Sequence, residues 1–316
     1  LYAIEEGSGR VWRFGEGGEA EHIVDMPGRV HDLSAVGDIL ILSHKDTPAI
    51  SIVQADGTRS GSIVTAGSEP GDLARPWGIA VSPSGMVYVS DVATNRIQAF
   101  DGEGQYLFHW GESGVDDGEF RDPRGIHLGD DGRLYVADSG NDRIQVFDQD
   151  GRHLATWEGD GDRAFNDPQD IEITGDGLVM VADSGNNRIQ VRDLAGTFRE
   201  AWGDKGFQNA YFQQPVAIAA HEGEDSLYVA DQGNRRIQLL RDDGGYVGQW
   251  NSDASLADLI VNREDQLYVV APESAWESPV RRFDIDGEFL IIRGDTTFSR
   301  SLLESPVGIA IQPERR

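Results

Sequence analysis

One phrase written four times constrains this chain more than any other feature. LYVADSGNDRIQVFDQDG at 134–151 returns as VYVSDVATNRIQAFDGEG at 87–104, VMVADSGNNRIQVRDLAG at 179–196 and LYVADQGNRRIQLLRDDG at 227–244. The arginine before the isoleucine falls at Arg96, Arg143, Arg188 and Arg236, in steps of 47, 45 and 48 residues. A proline precedes each phrase (Pro76, Pro123, Pro168, Pro215) and a tryptophan follows it (Trp110, Trp157, Trp202, Trp250). Self-similarity at this period means a repeat architecture, in which each unit buries its apolar face against its neighbours.

Within one unit the pattern predicts four short strands: Gly125 to Leu128, Leu134 to Ala137, Arg143 to Phe147 and His153 to Trp157. The runs are rich in Val, Ile and Tyr, and Asp/Gly turns bound them. Four strands in ~40–50 residues make the blade of a β-propeller. Weaker copies fill the remainder. Ile39 to Leu42 followed by Ile50 to Val53 reads as one, and Leu267 to Val270 followed by Val280 to Phe283 as another. SPVGIAIQPERR at 305–316 begins a blade, and LYAIEEGSGRVWRF at 1–14 completes one. The expected fold is therefore all-β: a seven-bladed β-propeller of four-stranded antiparallel blades, with six blades as the alternative. The whole of 1–316 forms one domain. The C-terminal inner strand, 307–311, joins outer strands supplied by the N-terminus, 1–4 among them, which removes a free edge.

These motifs, Pro-x-Gly-Ile, Tyr-Val-Ala-Asp, Asn-x-Arg-Ile-Gln and Trp-Gly, resemble the NHL repeat family, strongly over 76–250 and weakly elsewhere. The resemblance implies a fold class and several activities. Similar propellers are protein-binding scaffolds, RNA binders with basic surfaces, sensor domains and, in a minority, metal-dependent lyases.

Charge narrows that set. The chain holds 55 acidic against 27 basic residues, for a net charge of −28. Such a field repels phosphate backbones, which need basic stripes, so nucleic acid is not an expected partner. No apolar run approaches the ~18 residues of a membrane helix, so membrane insertion is not expected. The chain has no cysteine, which excludes disulfides, thiolate metal sites and a cysteine nucleophile. It starts at Leu1, so no targeting address can be read from it. The expected protein is a monomeric, extracytoplasmic domain, periplasmic or secreted.

The recurring Asp91, Asp138, Asp183 and Asp231, with Arg96, Arg143, Arg188 and Arg236, look chemical but are too many. A catalytic constellation is needed once, at one pocket. Four copies around a ring are expected to pair carboxylate with guanidinium and hold each loop between second and third strands. The tryptophans are expected to pack between blades. Informative positions are those where one blade departs from the others.

Propeller ligand sites lie by fold analogy at the channel mouth, near the inner-strand starts. The two residues after each proline, or its counterpart, are His31-Asp32, Trp77-Gly78, Arg124-Gly125, Gln169-Asp170, Val216-Ala217, Ala257-Asp258 and Val307-Gly308. Gly or Ala is the default at the second place, and Asp32, Asp170 and Asp258 replace it. Two residues on, the same face carries Ser34, Ala80, His127, Glu172, Ala219, Ile260 and Ala310. Asp170, Glu172 and His127 thus form a candidate polar cluster, with Arg124 and Gln169 at its rim and His31, Asp32, Asp258 and Trp77 at related positions. Its readings are a water-filled channel, a ligand or cation site, or an acid/base pair. His127 is expected to pair with Glu172 as an imidazolium, or to be neutral if a cation binds.

Other chemistry is sparse. Asp-x-Asp-Gly at 148–151 and 284–287 lacks the distal glutamate of a calcium loop, so both are read as turns. No Gly-x-Ser-x-Gly elbow or phosphate-cradling Gly-Lys-Ser/Thr loop is present. The lyase branch of the resembled family implies zinc-binding histidines at several inner-strand starts, and here only His31 matches. No cofactor is expected for a scaffold. In the enzymatic alternative, a calcium-assisted hydrolase or lyase, Asp32, Asp170, Glu172 and Asp258 supply oxygen ligands in the channel. The first reading is a binding scaffold whose channel mouth and loops meet a protein, peptide or glycan.

Overall fold

The computed structural model describes residues 66–220, 226–249 and 251 in full, with Ile41 and 50–52, and elsewhere only the backbone of strands. The fully described stretch holds four four-stranded antiparallel sheets, the blades of a β-propeller. Blade I comprises Pro76–Val81, Val87–Asp91, Arg96–Phe100 and Tyr106–Trp110; blade II comprises Pro123–Leu128, Leu134–Asp138, Arg143–Phe147 and His153–Trp157. Blade III comprises Pro168–Ile173, Leu178–Asp183, Arg188–Asp193 and Phe198–Trp202; blade IV comprises Pro215–His221, Ser226–Asp231, Arg236–Arg241 and Tyr246–Asn251. Inner strands start at the prolines, two residues earlier than the sequence pattern predicts for blade II. Outside this stretch, Tyr2–Glu5 pairs antiparallel with Pro306–Ala310, placing Tyr2 opposite Ala310 and Ala3 opposite Ile309.

The second strand of each blade is covered on both faces, so it is mostly apolar rather than alternating, with a buried aspartate at its end. The fourth strand lies at the rim and exposes most of its residues. Its terminal tryptophan is the link to the next blade. A methyl group added to Gly151 would lie 2.7 Å from the Trp110 ring, one on Gly196 2.3 Å from Trp157, and one on Gly244 2.5 Å from Trp202. Each glycine also has φ between +77° and +82°, where a side chain is strained. The tryptophans thus pack between blades, as the repeat predicts. The turn at 148–151 is explained by its own residues. Asp148 Oδ1 accepts the N–H groups of Asp150 and Arg152 at 3.1 and 2.9 Å. The matching 284–287 lies outside the described residues.

Polar residues hold the loops that lead into each blade. In blade II, Asp138 is completely buried. Its Oδ1 accepts Arg121 N–H at 2.7 Å, and its Oδ2 accepts Arg143 Nε, Asn141 Nδ2 and Gln145 Nε2 at 2.7, 2.9 and 3.0 Å. Arg143 continues to the carbonyls of Val115, Asp116 and Glu119 in the leading loop. The arrangement recurs at Asp183–Arg188 and Asp231–Arg236, each at 2.7 Å. The recurring acid and base are therefore structural, with a glutamine two residues after the arginine as third member.

Blade I departs from the expected pairing. Asp91 accepts the N–H groups of Ala74, Arg75 and Ala93, and buried Arg96 Nε has no partner. The cause lies at Thr94, which stands where blades II to IV carry Asn141, Asn186 and Asn234. Those asparagines bond both the aspartate and a loop carbonyl, whereas Thr94 Oγ1 is buried without a partner.

Two substitutions test this network. Thr94→Asn is expected to raise unfolding free energy by about 1 kcal/mol, the net worth of an added hydrogen bond. Asp138→Ala is expected to cost about 3–5 kcal/mol by leaving Arg143 buried and uncompensated. Chemical denaturation reads both, and an unchanged Asp138→Ala protein would contradict the assignment.

Candidate functional site

The inner strands do not run as regular strands from their prolines. In blade IV, Pro215 pairs with Asp231 but Ala217 pairs with Ala230, so Val216 is an extra, bulged residue. Blades I, II and III shift register in the same place. A bulge frees a side chain from the ladder and re-aims it. Trp77, Arg124 and Gln169, each one residue after its proline, meet across three blades as a result. The Arg124 guanidinium lies 5.1 Å over the Trp77 ring, and its Nη1 donates to Gln169 Oε1 at 2.6 Å. Its Nε and Nη2 donate to Asp122 Oδ2 at 3.1 and 2.6 Å, and Asp167 Oδ1 lies 3.5 Å from Nη1. Trp77, Arg124 and Gln169 thus form one continuous strut of stacking and hydrogen bonds.

Small residues in the next slot have a steric cause. A methyl group on Gly78 would lie 2.7 Å from the Arg124 carbonyl oxygen, and one on Gly125 2.7 Å from that of Gln169. Each inner strand therefore touches the backbone of the next. Asp170 fills this slot in blade III and bridges instead. Its Oδ1 accepts its neighbour Ile171 N–H at 2.9 Å, and its Oδ2 accepts Ile218 N–H of blade IV at 3.0 Å. The structure thus gives Asp170 a task beyond the expected cluster: it ties two blades together.

His127 and Glu172 do come together, with Nδ1 to Oε2 at 3.7 Å and roughly a quarter of each side chain open to solvent. That separation is too long for a hydrogen bond. Crowding by protein atoms pushes the His127 pKa down to about 4, against the opposing pull of Asp130 and Asp131. The expected imidazolium is therefore corrected to a neutral imidazole at pH 7. Among the described residues no three His, Cys, Asp or Glu side chains are grouped to hold a metal. His31, Asp32 and Asp258 have side chains outside the described residues.

A second set of contacts between blades was not read from the sequence. Asn95, Asp142 and Asn187 adopt positive φ, and each side chain accepts the N–H of the residue before the next blade's proline. The recipients are Asp122, Asp167 and Gln214, at 2.8, 2.8 and 3.1 Å. The signal was present as a recurrent Asn or Asp just before the repeated arginine, replaced by Arg235 in blade IV.

Asp170→Ala is expected to destabilise by about 1–3 kcal/mol because Ile218 N–H loses its acceptor. Glu172→Ala should stay within about 1 kcal/mol, since half-open charges contribute little. NMR should place the His127 midpoint well below 6.5, and a midpoint above it would contradict the neutral assignment. Between pH 6.5 and about 4 the unfolded chain holds more protons at this residue than the folded one. Its contribution therefore makes stability fall as pH drops through that window, and His127→Gln should flatten the fall.

Comparison with known proteins agrees with the geometry. The model of the NHL repeat matches residues 73–100, 120–147 and 165–191. Protein lin-41 of Caenorhabditis elegans is 46% identical over 50 residues, covering 15% of this chain and 4% of its own length. Protein wech of Drosophila melanogaster is 41% identical over 56 residues, 18% of this chain and 7% of its own length. Matches therefore span only a small part of these relatives. Among solved structures, virginiamycin B lyase from Staphylococcus aureus superposes with a TM-score of 0.65 at 16% identity, covering 83% of each chain. A chain of the nidogen/laminin complex gives 0.58 at 19% identity, covering 79% of this chain and 93% of that one. At such identity the structural likeness speaks for the fold alone. The segments that the NHL model matches lie in blades I, II and III, so the chain carries three NHL repeats within a β-propeller fold.

Proposed function

We propose that this chain is a binding scaffold whose channel mouth and leading loops meet a protein, peptide or glycan, a protein or peptide above all. One observation carries the reading: the recurring polar residues are committed to holding loops. Asp138, Asp183 and Asp231 each bind a leading loop and an arginine, so what the propeller offers outward is a set of fixed loop surfaces. Rigid presentation lowers the ordering cost of association. The nidogen/laminin neighbour is itself described in a protein complex, which is consistent with this use of the fold.

The ring is proposed to have seven blades, one of them shared between the two ends of the sequence. The pairing of Tyr2 with Ala310 supports the shared blade. The domain is proposed to act as a monomer in an extracytoplasmic setting. The calcium-assisted alternative is weaker because the Asp170 carboxylate, one of its four oxygen ligands, already accepts two backbone N–H groups. Nucleic acid is not a proposed partner, given a net charge of −28.

Selection from a displayed random peptide library tests the reading. It should yield binders that slow hydrogen exchange in the leading loops 111–122, 158–167 or 203–214. A library without any binder that protects these loops would overturn it. Single-stranded RNA should show no micromolar binding in ~0.15 M salt, and such binding would overturn the exclusion of nucleic acid.

A further inference from the structure

The leading loops are not equal. Those into blades II and IV, 111–122 and 203–214, have twelve residues each, whereas 158–167, into blade III, has ten. The longer loops close on themselves through the bridges Ser113–Phe120 and Lys205–Phe212. The short one forms a single 3-10 turn, Gly161–Arg163, with no such bridge. A groove of about 630 Å³ opens over it, a size that suits a side chain and its flanking backbone.

Four segments line this groove, contributing Asp142, Asp162, Phe165, Asn186, Arg188 and Asp204. Its exposed charges are carboxylates: Asp142, Asp162 and Asp204 all lie at the surface. Of the nearby cations Arg188 and Arg192 are committed, while Arg163 and Lys205 are exposed. Arg188 bonds buried Asp183 and two loop carbonyls, Arg192 is buried over the Phe165 ring at 4.4 Å, and Arg163 lies over Phe198. Three residues beyond Asp204, Phe207 is 78% exposed, and Tyr211 on the same loop is 40% exposed. No other large apolar side chain of the fully described stretch is as open as Phe207. An apolar anchor on a loop that lines a groove with carboxylates at its edge is the pattern of a recognition surface.

We propose that this groove receives a basic, extended segment of a partner protein, with an arginine seated among Asp142, Asp162 and Asp204 and an apolar neighbour against Phe207. The inference rests on the protein-binding reading and specifies its partner. Charge selects the occupant. A carboxylate rim in a chain of net charge −28 attracts a cationic segment and repels a second copy of this chain. Asp204, at the groove, and Phe207 lie on one leading loop, so charge and apolar contact can be read by one extended segment.

The probe is a fluorescein-labelled dodecapeptide alternating arginine, glycine and phenylalanine, with a twin carrying uncharged citrulline for arginine. Anisotropy should show the arginine peptide binding in ~0.15 M salt and weakening as salt rises. The Asp162→Asn/Asp204→Asn double variant should weaken binding by at least about tenfold, and Phe207→Ala should do the same. A control with the same change in net charge, Glu103→Gln/Asp150→Asn on hairpins between third and fourth strands, should bind as the parent does. Equal weakening in both double variants, equal binding of the citrulline twin, or no binding of the arginine peptide would overturn the proposal. Concentration-dependent dimerisation abolished by Phe207→Ala would overturn it in favour of a second copy. If the groove fails while library peptides still protect a leading loop, the general protein-binding reading stands and only this partner falls.

Discussion

A buried aspartate at the end of each second strand is the constraint on which the described propeller depends. A carboxylate without solvent is costly unless every acceptor site is used. Asp138, Asp183 and Asp231 meet that condition by gathering a loop N–H, an asparagine, an arginine and a glutamine. The arginine then reaches back to loop carbonyls that would otherwise lack donors. Loop and blade are fixed together, and the loop carbonyls reached by the arginine find donors without a longer strand.

Neighbouring blades are joined by three further devices at different radii. Near the axis the inner strands touch backbone to backbone, which requires Gly78 and Gly125 and lets Asp170 reach Ile218. At middle radius Asn95, Asp142 and Asn187 cap the start of the following blade. At the rim each tryptophan rests on a glycine of the next hairpin. The leading loop into blade III is two residues shorter than those into blades II and IV, and the groove opens over it.

Much of this was legible in the sequence because the repeat reports its own constraints four times. Strand positions, the structural role of the Asp and Arg series and the packing of Trp110, Trp157 and Trp202 all follow from residues that recur where one contact recurs. The bulge after each proline was not legible, since no residue type marks it, and so Arg124 and Gln169 were placed at a rim without the contacts that join them to each other and to Trp77. Asp170 was read as a functional departure because sister blades carry Gly or Ala. That comparison carries no information about a neighbour's backbone donor, and Ile218 N–H is what it binds. The sequence leaves the charge of His127 open: pairing with Glu172 is visible there, whereas the crowding that disfavours the imidazolium is not. Loop length was countable from the start, yet its meaning depended on seeing what the longer loops close upon.

The network's hold on the loops is the central claim, and native-state hydrogen exchange tests it most directly. The amides of Arg121, Asn166 and Gln213 lie in leading loops, and each donates to a buried aspartate at 2.7, 2.7 and 2.6 Å. Ordinary loop amides open with free energies near zero, whereas amides tied to the core open only with it. All three are predicted to exchange as slowly as the middle-strand amides of their own blades. Exchange at the rate of free loop amides would contradict the account.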